Sequence, residues 1–169
     1  MIMVLCLIPA AAYAEELKPM NEEAYAILVG DTLTFYYDAC RETRAAGAKA
    51  DYDVPKTPWA AGGVPWNHTG SAYRFDFKHV VFDPSFKGFD ELESMYEWFY
   101  TGNDDGLKVE TISGIGNINT TNLTNMFRAF CNLKKLKYFD FESFDGSKIE
   151  NMDYMFAECT ALEKIDFGN

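Results

Sequence analysis

The side chains able to carry chemistry are few and scattered. There are two histidines, His68 and His79, and no H-E-x-x-H arrangement, so a zinc-activated water has no ligand set. No G-x-S-x-G turn presents a serine nucleophile, and no glycine loop is spaced to cradle phosphate. Paired carboxylates such as Asp104 and Asp105 fall in a Gly-Asn-Asp-Asp-Gly turn, where solvation accounts for them. Asp83, Asp90, Asp104 and Asp105 lack the spacing of an EF-hand calcium loop. These residues specify no catalytic group, no metal and no cofactor, and the chain reads as a non-enzyme.

Two constellations remain, and both suit binding. Trp59 and Trp66 stand in a stretch rich in Gly and Pro; two indoles there either stack on a sugar or pin the loop to the core, the second being the commoner use. The other constellation is Lys137, Tyr138, Asp140, Lys164 and Asp166, which the repeat described next would gather on one surface.

Residues 125–141, NMFRAFCNLKKLKYFDF, and 151–167, NMDYMFAECTALEKIDF, are two copies of one unit, superposed by a shift of 26 residues. The shift lays Met126 on Met152, Phe130 on Phe156, Leu136 on Leu162 and Phe139 on Ile165. Leu123, Met126, Phe127 and Phe130 sit at i, i+3, i+4 and i+7, one face of a helix. Asn125 and Asn151 are suitable N-caps for it. The later residues, Leu136-x-x-Phe139-x-Phe141 and Leu162-x-x-Ile165-x-Phe167, fit the L-x-x-L-x-L core of leucine-rich repeats. Each unit therefore predicts a short helix, a turn and a strand, stacked on its neighbours because neither element can bury its apolar face alone. A divergent first unit lies upstream at an offset of 31, with Met95-x-x-x-Phe99 and a strand within residues 109–115. The expected fold is an α/β solenoid of helix-plus-strand units over residues 89–169, with a β-rich N-terminal cap over residues 15–88.

Three phrases resemble the BspA-like leucine-rich repeat proteins of bacterial surfaces, also called Mycoplasma-lipoprotein repeats. They are Asn119-Thr-Thr-Asn-Leu-Thr-Asn-Met126, Tyr154-Met-Phe-Ala-Glu-Cys-Thr-Ala-Leu162 and Val80-Val-Phe-Asp-Pro-Ser-Phe86. The resemblance runs from about Tyr25 onward, and it implies adhesion to a protein partner, either host extracellular matrix or another bacterial surface. One departure is Phe144, where leucine-rich repeats place an asparagine after the strand. In such a setting the Asn-x-Ser/Thr sequons at Asn67, Asn119 and Asn122 are incidental.

In the cap, residues 25–29 and 32–37 flank Gly30-Asp31 and predict a hairpin with a type II′ turn. A short helical piece is expected over 41–46, and alternation from Tyr73 through Phe82 predicts a strand ended by Asp83-Pro84-Ser85. The first 14 residues are uncharged and end in Ala12-Tyr13-Ala14, which reads as the end of a signal peptide, truncated at its start because no positive region precedes it. That places the protein outside the cytoplasm, secreted or on the cell surface, with no membrane span in the mature chain. A net charge of −11 argues against nucleic acid and anionic membranes as partners. Cys40, Cys131 and Cys159 cannot all pair with one another, so the fold is no disulfide scaffold. Because residues 166–169 follow directly on a strand, the repeat is expected to continue beyond Asn169.

The alignment makes a sharp demand: the strands around 138–141 and 164–167 must be parallel neighbours with Phe139 beside Ile165. On this reading Phe156→Ala removes a core side chain, and chemical denaturation should show a loss of about 3–5 kcal/mol.

Overall fold

The computed structural model describes residues 21–57, 64–67, 77–100, 102 and 107–168. The signal-like segment, Trp59, His68, the stretch 73–76 and the Asp104-Asp105 turn lie outside the described residues.

The hairpin forms as its sequence asks. Strands β1 (Glu23–Val29) and β2 (Thr32–Asp38) pair antiparallel with Val29 opposite Thr32. Gly30 takes φ +60° at the turn, a conformation that costs glycine nothing. A short helix, α1 (Arg41–Ala45), leads into β3 (Ala50–Asp53), which adds antiparallel to the other side of β1. Strand β4 (His79–Phe82) lies parallel to β2, and β5 (Thr111–Ser113) lies parallel to β4. The result is a mixed five-stranded sheet of order β3-β1-β2-β4-β5. Asp83 ends β4 by accepting the Ser85 N–H at 2.9 Å, which opens a 3-10 turn over Pro84–Gly88. Because β5 belongs to this sheet, the sheet runs past residue 88 into the stretch assigned to the repeats.

Strands β6 (Tyr138–Asp140) and β7 (Lys164–Asp166) form a separate parallel pair, with Phe139 beside Ile165 in the register expected from the 26-residue shift. Ser94, Asn125 and Asn151 are joined by parallel bridges, so the three units also stand in line at their other edge.

The helix-plus-strand solenoid does not form. Among the described residues the single α-helix is α1, five residues long, and the stretches expected to be helical are chains of turns. The bonding gives the reason. An α-helix needs each N–H to reach the carbonyl four residues back, whereas here alternate N–H groups reach the neighbouring unit. Met126 donates to Asn151 at 2.7 Å, Arg128 to Asp153 at 3.0 Å, Phe130 to Met155 at 3.0 Å and Asn132 to Ala157 at 2.7 Å. Within each unit the chain closes into turns instead, as Trp98 N–H to Met95 at 3.2 Å, Ala129 to Met126 at 3.1 Å and Met155 to Met152 at 3.2 Å. The third residue of each turn, Glu97, Arg128 or Tyr154, has φ of +53°, +52° or +58°. That is the left-handed region a right-handed helix cannot contain. Asn125 and Asn151 cap these turns rather than helices, accepting the Phe127 and Asp153 N–H groups, each at 2.9 Å.

The apolar residues of the unit from Leu123 to Phe141 still point inward, whereas Met152 and Phe167 of the following unit, expected to do the same, are exposed. Leu123, Met126, Phe130, Leu136 and Phe139 are all fully buried. Phe35 is packed among Trp66, Phe82, Phe86 and Trp98 at centroid distances of 4.9, 4.8, 5.8 and 5.4 Å. Phe99 then stacks on Phe130, and Phe130 on Phe156, each at 5.7 Å, so one aromatic column joins the N-terminal sheet to the repeats. Phe156 is only partly buried, so the full cost of truncation expected there falls on Phe130 instead.

The strand corners fix one glycine. Gly114 follows β5 with φ +73°, and a Cβ there would stand 2.2 Å from the Phe82 carbonyl oxygen. Gly114→Ala should therefore cost about 3 kcal/mol in a urea melt, since both backbone strain and the clash oppose it. A loss under about 0.5 kcal/mol, the scale of an ordinary surface change, would mean that the corner is built differently.

Candidate functional site

Four of the five residues singled out on the repeat, Tyr138, Asp140, Lys164 and Asp166, come together on the outer face of β6 and β7. A strand turns successive side chains to opposite faces, so burial of Phe139 sends Tyr138 and Asp140 outward, and Lys164 and Asp166 follow in register. Tyr138 is 44% exposed. Lys137 stands exposed just ahead of β6, and its carbonyl accepts the Glu163 N–H at 2.9 Å, which fixes the entry to β7.

Contacts within the patch order these side chains. The Lys164 ammonium lies 5.4 Å from the centre of the Tyr138 ring and 2.8 Å from Asp166 Oδ2. The Tyr138 hydroxyl donates to Asp140 Oδ2 at 3.2 Å. Asp140 and Asp166 are direct neighbours, a like-charge pair that local donors answer. Asp140 Oδ1 accepts the Glu142 N–H at 2.7 Å, and Asp166 Oδ1 accepts the Gly168 N–H at 3.1 Å. The aspartate row thus has a structural use as the cap of each strand corner. Lys164 first, then the Gly168 amide, holds the Asp166 carboxyl below its ordinary value, and Asp166 in turn raises Lys164. The Tyr138 hydroxyl is pushed up by desolvation and by Asp140.

The other candidates fare differently. Trp66 is 1% exposed, and its indole N–H donates to the Trp98 carbonyl at 3.0 Å, so this ring pins its loop to the core and offers no face to a sugar. His79 is half-buried, with Nδ1 2.8 Å from the Thr111 hydroxyl. Cys131 is a buried free thiol, and Cys159 a half-buried one packed against the apolar core. Burial pushes Cys131 up to about 11 and raises Cys159, which donates to the Phe130 carbonyl, so neither is a ready thiolate at neutral pH. Among the described residues no group of three or more His, Cys, Asp or Glu is placed to hold a metal ion, and no helix is long and apolar enough to cross a membrane.

A second cluster, on the turn side of the units, was not anticipated. The Arg128 guanidinium lies 5.0, 5.0 and 5.5 Å from the ring centres of Tyr100, Phe127 and Tyr154, and it pairs with Glu97 at 3.3 Å. Tyr96 stacks on Phe127 at 5.3 Å. The unit alignment brings Tyr96 beside Phe127 and Arg128 beside Tyr154, and that was the available signal. Reading residues 126–130 as a helix instead dispersed these side chains around its circumference.

The model of a family described as "Mycoplasma protein of unknown function, DUF285" matches residues 93–169. The matched stretch is the three-unit part. No curated protein and no solved structure shows a significant match. The DUF285 match therefore covers the β6–β7 patch and the Arg128 cluster and leaves β1 to β4 outside it. Its description assigns no activity.

The ion pair of the patch has a measurable signature. Asp166 should titrate below the ordinary carboxyl value of 3.8, read from its side-chain carbon shift by NMR, and Lys164→Met should move the midpoint upward. A wild-type midpoint at or above 3.8 would mean that Lys164 does not hold Asp166 in solution.

Proposed function

We propose that this chain is a secreted or cell-surface, non-catalytic adhesion and protein-interaction module that binds a protein partner through the outer face of β6 and β7. The observation that carries the proposal is the gathering of Tyr138, Asp140, Lys164 and Asp166 on one face whose inner side is core, with Lys137 exposed just ahead of it. Tyr138 supplies an exposed aromatic surface with few rotatable bonds, the kind of residue that anchors protein interfaces. Its neighbours offer both donors and acceptors. Their one ion pair, Lys164 with Asp166, is solvent-exposed and therefore weak, so a partner can redirect it. The uncharged N-terminal stretch supports a location outside the cytoplasm, and the resemblance to BspA-like surface repeats supports adhesion to matrix proteins or to other bacteria.

The test is a double substitution, Tyr138→Ala with Lys164→Ala, assayed on immobilised extracellular matrix proteins and on bacterial cells. The melting temperature should stay within a few degrees, because exposed changes shift stability by about 0.5 kcal/mol or less. Adhesion should fall. Adhesion equal to wild type would remove this face as the site, and a hydrolytic activity in the purified chain would overturn the non-catalytic reading.

A further inference from the structure

The cluster on the turn side of the units shares no residue with the outer face of β6 and β7. Tyr96, Glu97, Tyr100, Phe127 and Arg128 all lie in the first two units, and each of those units has its successor in place. The guanidinium is held from several sides: the ring centres of Tyr100, Phe127 and Tyr154 stand 5.0, 5.0 and 5.5 Å away, close enough for cation–π attraction from each. Glu97 reaches Nη1 at 3.3 Å, which is slack beside the roughly 2.7–2.9 Å of a well-made charge-assisted bond. Nε and Nη2 have no hydrogen-bond partner among the described residues, and 34% of the side chain stays exposed. Phe127 covers one face of the Tyr96 ring, stacked at 5.3 Å with 11° between the planes, and Tyr96 is still 40% exposed. An oriented guanidinium thus stands beside open aromatic surface.

That combination selects a ligand. The guanidinium edge formed by Nε and Nη2 fits a carboxylate, which it binds through two parallel bonds. The aromatic surface fits an apolar face of about one ring's size next to that carboxylate. A sugar acid carries both on one rigid frame: the carboxylate is attached to the pyranose ring, and the ring's C–H groups form the apolar face. An acidic side chain of a peptide carries its carboxylate on a flexible stem with no such face. We propose that the Arg128 cluster binds a carboxylate-bearing sugar, with the acid on Nε and Nη2 of Arg128 and the sugar ring against Tyr96. Glu97 stays on Nη1, where its charge opposes the incoming one. The net charge of −11 opposes the ligand mainly at long range, and physiological salt screens it beyond about 8 Å.

Saturation-transfer NMR on the full chain tests this with methyl β-glucuronide and with the methyl glycoside of N-acetylneuraminic acid, each beside its neutral methyl ester. Either acid should bind with a millimolar Kd, and the tighter of the two identifies the sugar source. The esters should bind weaker by about tenfold or more. Arg128→Lys, which keeps the charge and loses the fork, should weaken the acid about tenfold. Tyr96→Ala should weaken it about threefold. Glu97→Gln removes the opposing carboxylate and should tighten the acid about threefold, a gain that a misfolded variant cannot show. Absence of binding by both acids at about 10 mM overturns the proposal. Equal binding of acid and ester overturns it too, as does an unchanged affinity in either Arg128→Lys or Glu97→Gln. Tyr138→Ala with Lys164→Ala should leave the sugar affinity as it is, which separates this outcome from that of the adhesion assay; loss of sugar binding there would place the sugar on the outer face and overturn the assignment.

Discussion

Alternate N–H groups along each turn strip leave their own unit and close on the carbonyls of the next, from Met126 on Asn151 to Asn132 on Ala157. This sideways bonding constrains the rest of the structure. A backbone whose donors are directed at a neighbour cannot close helical turns, so the remaining peptide groups fold into tight turns, and those turns require left-handed residues at Glu97, Arg128 and Tyr154. Each such residue carries roughly 1–2 kcal/mol of conformational cost, which the bonds between units and the buried apolar side chains offset. The arrangement holds only while neighbouring units are present.

The aromatic column meets that condition from inside. Phe99, Phe130 and Phe156 stack plane on plane at the same spacing, one from each unit. Phe139 braces the last two from the strand side at 4.8 and 4.7 Å. At its other end the column meets Trp98 and Phe35, so the five-stranded sheet covers the first unit, and the segment that follows β3 supplies it with a carbonyl: Lys56 accepts the Glu93 N–H at 2.9 Å. Sheet and repeats share one apolar core.

Much of this was legible in the residues. The hairpin around Gly30, the stop at Asp83-Pro84, the buried set of the unit from Leu123 to Phe141 and the parallel register of Phe139 with Ile165 followed from period, turn chemistry and self-alignment, but the exposure of Met152 and Phe167 did not. The helix was not, because Leu123, Met126, Phe127 and Phe130 have helical spacing in a segment that is not helical, and period alone does not record where an N–H is bonded. The left-handed residues gave no warning either, since glutamate, arginine and tyrosine occupy places where glycine or asparagine would have signalled a turn. For the same reason the four outward residues of β6 and β7 could be named from sequence, while the ring of aromatics around Arg128 could not. The trio in which half-buried Arg44 pairs with buried Asp38 at 2.7 Å and Tyr25 donates to the same carboxylate was equally hidden, since it joins β1, the end of β2 and α1.

Trp66 and Trp98 are both fully buried and meet edge to face at 5.1 Å, one from the 3-10 turn Pro65–Asn67 and one from the first unit. Two indoles in such contact couple their transitions, and neither is wetted while the junction is closed. The near-ultraviolet dichroism and the emission colour of these two rings therefore report on the seam between sheet and repeats rather than on either part alone. Loosening of that seam would be visible optically even if every strand kept its partners.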